Sequence, residues 1–261
     1  MKIIACVRQT PDTETLIKIG GDAKSIDANG VKYVLGPYDE YALEAAVQIK
    51  EKSSGNVTAV SVGPARVTET LRQCLAVGAD AAVHINTEGN ETDDALVLAK
   101  ALAEQIKKIG DYDIVFTSNR GADSDRGAVG PMLAELLGLP YVGLVGSIEI
   151  EGGAAVCTRD IEGGAQEKFK VNLPAVVCAQ KGIRGEPRYA SLMQIMKAKK
   201  KPIETTTLAD LGVDAGSLTH VTIEKMEYPP ERPPGRVIDG ADLDAKIDEL
   251  VRLLRDEAKV I

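Results

Sequence analysis

At 261 residues, 44% of them apolar, the chain has material for one large or two small domains with a buried core. A formal charge of −8 and a pI near 5.0 exclude a broad non-specific nucleic-acid surface, so any anion site must be local. The four cysteines, Cys6, Cys74, Cys157 and Cys178, stand in apolar runs without CxxC spacing, and only His84 and His220 could join them, which excludes an ordinary zinc site.

The apolar supply is Ala, Val, Ile and Leu, with two Phe and no Trp, which suits parallel strands covered by Ala-rich helices. Residues 2–7 form a short apolar run stopped at Pro11, read as a buried strand feeding a loop. Residues 18–34, with Gly20, Gly21 and Gly30, read as a hairpin or irregular loop. Pro37 and Asp39 announce a helix with Asp39 as N-cap, Ala42, Ala46 and Ile49 on its apolar face, and Lys50 and Lys52 at its negative end. A second strand at 57–62 leads through Gly63-Pro64 to a helix at 68–77, which Gly78 closes in an αL C-cap. Residues 81–85 are a third strand. Thr92 caps the next helix, with Lys107 and Lys108 in its last turn and Leu98, Leu102 and Ile106 on its buried face. A fourth strand at 114–117 precedes a helix from about 127 to 137.

Alternation of this kind predicts βα units, a parallel sheet and helices on both faces. Ligands of such sheets lie at the carboxyl ends of the strands, near the switch in strand order, which points to the loops after Val7, Val62 and Thr117. From Val142 the rhythm changes to strand-like runs at 144–149, 154–159, 165–171 and 175–180, separated by Gly152-Gly153 and Gly163-Gly164. They predict an antiparallel extension. Residues 1–201 are therefore expected to form one α/β nucleotide-binding domain. Residues 202–261 are expected to form an extended C-terminal arm, with prolines across 227–234 and a helix at 241–259 whose Leu243, Ile247, Leu250 and Leu254 share one face. No run of about 18 apolar residues exists to span a membrane, and Met1 leads directly into a strand with no leader, so direct membrane insertion is not expected and the chain reads as cytoplasmic.

Two stretches carry functional signals. In 118–131, Gly127, Ala128, Val129 and Gly130 open a helix whose backbone N–H groups would receive an anion, with Arg126 adding a forked donor. Asp123 and Asp125 would either cap that helix or accept ribose hydroxyls, and a plain solvated turn reads equally well from the residues alone. The second stretch, 184–201, is a basic island in an acidic chain. Lys181, Arg184, Arg188, Lys197, Lys199, Lys200 and Lys201 are opposed in this region only by Glu186, which suggests a specific partner; the bland alternative is a solvated charge run.

The chain resembles the β subunit of electron transfer flavoprotein over nearly its whole length. The resemblance is most specific at Arg159-Asp160-Ile161-Glu162-Gly163-Gly164 through Leu173-Pro174-Ala175-Val176-Val177, at Glu186-Pro187-Arg188-Tyr189-Ala190 through Lys201, and at Asp210-Leu211-Gly212-Val213. Phe169 departs from the aliphatic residue usual in the first of these. The resemblance implies an adenine nucleotide hydrolase-like parallel-sheet domain, and an electron carrier rather than an enzyme. Its partner would be an α subunit that holds most of one FAD, with a buried AMP in the β subunit. Electrons would arrive from a flavin dehydrogenase of the acyl-CoA dehydrogenase type and leave to a membrane quinone oxidoreductase.

The resemblance further implies that Cys6 and Val62 line the nucleotide and that Tyr38 lies near the flavin ring. Asp160 would face an arginine of the α subunit, and Leu192 would be the apolar anchor for the dehydrogenase, framed by Arg188, Lys197, Lys199 and Lys200. Gly36 stands where the family commonly has an asparagine toward AMP, and Gly127-Ala128-Val129 replace a common Asn-Gln-Thr. Backbone N–H groups and Arg126 would then carry the phosphate. Two alternatives remain: an electron-bifurcating β subunit with a second FAD, which Val129-Gly130-Pro131 fits, and a nucleotide-binding regulatory domain.

Overall fold

The computed structural model describes residues 1–232 and 234–261, so Pro233, one of the arm prolines, lies outside the described residues. The chain divides into two compact units, Met1–Glu224 and Lys225–Ile261.

The first unit opens with β1 (Lys2–Cys6), a short antiparallel pair β2 (Gln9–Pro11) and β3 (Tyr33–Leu35), and α1 (Pro37–Ser53). It continues with β4 (Asn56–Gly63), α2 (Val67–Val77), β5 (Ala81–Asn86), α3 (Ala95–Ile109), β6 (Ile114–Ser118) and α4 (Val129–Leu137). Then come β7 (Tyr141–Val145), β8 (Ser147–Glu151), β9 (Ala154–Asp160), β10 (Gln166–Asn172), β11 (Ala175–Ala179), α5 (Leu192–Lys200), β12 (Glu204–Thr207) and the single turn α6 (Ala215–Leu218).

Seven strands form one sheet in the order β12-β5-β4-β1-β6-β11-β7, every neighbouring pair parallel. The strand alternation sends Ile3, Ala5, Ala59 and Phe116 to one face, where α1 and α2 cover them with Ala42, Ala45, Ala46, Leu71 and Cys74. Ile4, Cys6, Val60, Val83 and Val115 face the other way, against Val97, Ala101, Leu102 and Ile106 of α3 and Leu133 of α4. Both faces being buried explains why these strands read as continuous apolar runs. All four cysteines are free and buried.

Several expectations change in detail. The antiparallel extension is only three-stranded, β10-β9-β8. Residues 141–145 and 175–179, expected within or beside it, join the large sheet in parallel as β7 and β11, because β11 is a fully buried run and needs a strand on each side. Asp39 is not the N-cap of α1: the helix starts at Pro37 after Gly36, which puts the Asp39 carboxylate inside the first turn. Asp94 rather than Thr92 caps α3, accepting from Leu96 N at 2.9 Å. On that helix Val97, Ala101, Leu102 and Ile106 are buried, with Leu98 only half-buried. Gly78 takes φ 146 and ψ 3, outside the αL region.

The division also falls later than Lys201. Glu204–Thr207 pair with β5 as the sheet's edge strand, Thr206 Oγ1 donates to Gln105 Oε1 of α3 at 3.0 Å, and Asp94 Oδ2 accepts from the backbone of His220 and Val221 at 2.8 and 2.9 Å. Those bonds keep the chain in the first unit through Glu224.

The second unit contains α7 (Leu243–Arg252), capped by Asp242, followed by a π turn at Leu253–Glu257. Arg236 reaches Glu257 at 3.2 Å. Leu243, Ile247 and Leu250 are exposed. Among the described residues no helix is long and apolar enough to cross a membrane.

Candidate functional site: a strand-end cleft and an exposed helix

Strand order reverses at β1, with β4 on one side of it and β6 on the other. Such a switch leaves a crevice at the carboxyl ends of the strands, because their outgoing connections run to opposite faces. Cys6 at the end of β1, Val62 near the end of β4 and the loop after Ser118 meet along this edge.

Arg8 organises the edge. Its Nη2 lies 3.0 Å from Asp93 Oδ1 and 2.7 Å from Asp123 Oδ2. Its carbonyl accepts from Gly36 N at 2.8 Å, tying the start of α1 to the end of β1. Arg126 donates to the Asp93 carbonyl at 2.6 Å, and it makes no ion pair among the described residues. Arg120 pairs with Asp125 at 3.0 Å while its guanidinium lies over the Tyr38 ring, 5.4 Å from the centroid. The structure thus brings together Cys6, Gly36, Tyr38, Val62, Asp123, Arg126 and the 127–130 turn. Arg8, Asp39, Asp93, Ser118 and Arg120 join them without being read as site residues in the sequence, where Asp39 reads as a helix cap.

Asp39 is 97% buried, from a 3% relative exposure. Burial pushes its carboxyl up to about 7, against the opposing effects of the Ser118 hydroxyl and the Arg8 charge, and Asp123 adds repulsion. Its Oδ2 has no partner. A Cβ on Gly36 would lie 2.2 Å from that oxygen, so the missing side chain at 36 has a steric cause: the Asp39 carboxylate occupies its space.

The start of α4 has no side-chain cap, so Asp123 and Asp125 do not serve as N-caps. The N–H groups of Val129 and Gly130 have no intrahelical partner either, while Pro131 supplies none and Met132 N donates to the Ala128 carbonyl. Gly127 turns the chain into the helix at φ 61, a conformation that favours glycine. Gly130 has a different task. A Cβ there would stand 2.2 Å from Cys178 Sγ and 2.9 Å from Thr117 Oγ1, so glycine lets the first turn of α4 lie directly on β6 and β11. The donor set at this edge, uncapped N–H groups beside Arg126, has the chemistry of an anion site.

The residues expected from sequence to meet a partner lie elsewhere on the unit. The basic island at 184–201 is in large part the helix α5, opened by a reciprocal capping box between Ser191 and Gln194. Leu192 is 81% exposed, and Tyr189, Met193 and Met196 are exposed beside it. Lys197, Lys199 and Lys200 are exposed in the last turn, where cations complement the helix dipole. Arg188 is turned inward: it makes paired bonds to Glu44, the nearest at 2.9 Å, and reaches Glu51 at 2.6 Å, both on α1. Glu44 is 97% buried. Burial alone would raise its carboxyl, but the bonds from Arg188 and Gln48 hold it below the usual glutamate range. Asp160 is exposed at the end of β9, accepting from Gln166 at 2.8 Å.

Residues 24–211 match the electron transfer flavoprotein domain. The chain is 40% identical to the electron transfer flavoprotein subunit beta of Bacillus subtilis (strain 168), covering 100% of both chains. It is 37% identical to the subunit of that name in Methylophilus methylotrophus, over 96% of this chain and 98% of the relative. It is 36% identical to the one in Homo sapiens, over 97% and 99%.

Proposed function

The chain belongs to the electron transfer flavoprotein β-subunit family, and from that premise we propose that it is the β half of a heterodimeric electron carrier. It pairs with an α subunit that holds one FAD. It takes electrons from a flavin dehydrogenase of the acyl-CoA dehydrogenase type, and the complex passes them to a membrane quinone oxidoreductase. The observation that carries the reading is α5, a helix that leaves Leu192, Met193 and Met196 in solvent, with Lys197, Lys199 and Lys200 exposed in its last turn. An apolar anchor with a charged rim is the form of a docking hot spot, and a carrier must meet its donor repeatedly without holding it.

At the strand-end cleft the fitting group is a nucleotide monophosphate, AMP. The uncapped N–H groups of α4 and the Arg126 guanidinium would hold its phosphate, and Cys6, Gly36 and Val62 would border it with backbone. Asp93, Asp123 and Asp125 already surround the arginines of this edge. Tyr38, stacked under Arg120, would give the flavin a flat wall. FAD, when bound, supplies all the redox chemistry; this chain's residues shape its surroundings and exclude water. Asp160 and the apolar stripe of α7 would face the α subunit.

Acid release and chromatography of the co-purified heterodimer tests the assignment. One FAD and one AMP per heterodimer are expected, whereas two FAD without AMP would replace it with an electron-bifurcating subunit. A colourless, stable monomer that binds nucleotide would point instead to a regulatory domain. In a separate test, Leu192→Ala should leave FAD content unchanged and slow reduction by the dehydrogenase, since the truncated anchor forfeits about 1.5–3 kcal/mol of apolar burial. Unaltered transfer kinetics in that variant would remove the anchor from Leu192.

A further inference from the structure

The docking helix is held by polar groups that sequence reading assigned to no function, and their placement follows a pattern. The approach to α5 is pinned along one side of α1. Tyr41 donates to Glu186 at 2.8 Å, Gln48 donates to the Arg184 carbonyl at 2.9 Å, and Glu44 accepts from the Arg188 backbone at 3.2 Å as well as from its guanidinium. The exit is pinned by α2 and the turn after it. Arg72 donates to the terminal carbonyls of α5 at Ala198, at 2.8 Å, and at Lys201. Lys201 donates to the Ala79 carbonyl at 3.0 Å.

Ala198 is buried while Leu192, Met193 and Met196 are not, so one side of α5 is seated and its apolar side is presented. The buried carboxylate of Glu44 is the informative member. An acid in that position is costly unless it does a specific task, and its task here is to take both the guanidinium and the N–H of a residue just ahead of the docking helix. The same helix, α1, begins with Pro37, Tyr38 and Asp39 at the strand-end cleft. From Tyr38 to Glu51 it spans about 20 Å at the α-helical rise.

We propose that Glu44, acting through Arg188, and Arg72, acting through the last carbonyls of α5, are positioning residues for docking, which set the exposed face of α5 at a fixed place relative to the cleft. This rests on the reading of α5 as the docking surface. Neither residue touches the partner. Their removal therefore weakens productive encounter by letting α5 shift or fray, without changing the apolar anchor itself.

The test uses the intact heterodimer with Glu44→Ala, Arg72→Ala and, as reference, Leu192→Ala, and a flavin dehydrogenase that reduces the wild type. Rates are followed against heterodimer concentration, together with FAD content, reduction by dithionite, and amide hydrogen exchange across 189–200. Glu44→Ala and Arg72→Ala should each speed exchange in that segment and raise KM roughly tenfold, equivalent to about 1.4 kcal/mol, with FAD content and dithionite reduction unchanged. Glu44→Gln, which retains an acceptor for Arg188, should recover part of the loss. Faster exchange with an unaltered KM, while Leu192→Ala raises KM, overturns positioning and leaves docking standing. Unaltered exchange overturns it as well. An unaltered KM in Leu192→Ala removes the docking reading and this proposal with it. Should Glu44→Ala fail to fold, Arg72→Ala carries the same test, because among the described residues Arg72 hydrogen-bonds α5 at its terminal carbonyls.

Discussion

Replacing Arg188 by alanine is expected to destabilise the folded chain by about 3 kcal/mol, and the contribution of Glu44 to stability should reverse the sign of its pH dependence in the variant. Glu44 keeps its burial in the variant but loses the paired guanidinium bonds that offset it. In the parent, the depressed Glu44 pKa contributes stability that is fully present above the ordinary glutamate value and is lost as the pH falls through the folded value, below about 4.5. In the variant, burial dominates and the folded pKa rises above the unfolded one. Its contribution is then complete below the unfolded value and declines as the pH rises. Melting temperatures of parent and variant should accordingly converge between pH 8 and pH 5. A gap that stayed constant over that interval would mean that Glu44 is not the group left unpaired.

The second large effect is expected at Gly130. Gly130→Ala forces a methyl to within 2.2 Å of Cys178 Sγ. That sulfur is one bond from the Cβ of a buried strand residue and is hydrogen-bonded to Thr117 at 2.7 Å, so it has little room to yield. The start of α4 must lift from the sheet instead, at a cost of about 3 kcal/mol. Cys178→Ala removes the nearer of the two obstacles, leaving Thr117 Oγ1 at 2.9 Å, and the double variant should regain part of the stability. Urea denaturation of the four proteins measures this directly; strictly additive losses would show that the sulfur is not what the methyl meets. The displacement would also move the uncapped N–H groups, so weaker retention of the proposed AMP is expected in the single variant.

The strands were legible in the sequence because burial on both faces writes itself as unbroken apolar runs: 57–62 and 114–117 lie within the observed β4 and β6. What eluded sequence reading was pairing across distance. Residues 141–145 and 175–179 carry no local mark of direction, and only their neighbours in space make them parallel. The basic island hid a helix whose start was nonetheless written in Ser191 and Gln194, the two halves of a capping box. Arg188 was read as a rim charge because its carboxylate partner lies 144 residues away. A hint existed in α1, where Glu44 sits among Tyr41, Ala45 and Val47, all buried. Asp39 was misread for a related reason: acidic residues at helix starts are usually solvated caps, and nothing local says that Ser118 and Arg8 close over this one.

The chain places β11 sixth in the sheet and β12 first, at the opposite edge. The connection that carries α5 must therefore cross five strand intervals, about 24 Å at ordinary strand spacing, with both of its ends locked into hydrogen-bonded strands. A loop of that length hanging free would have to surrender its conformational entropy at each encounter, at about 0.5–1.5 kcal/mol for every immobilised side chain. Here the freedom is surrendered once, when the sheet forms. On the docking reading proposed above, a donor would then meet a surface already ordered, and association would be governed by diffusion and charge rather than by waiting for a segment to order.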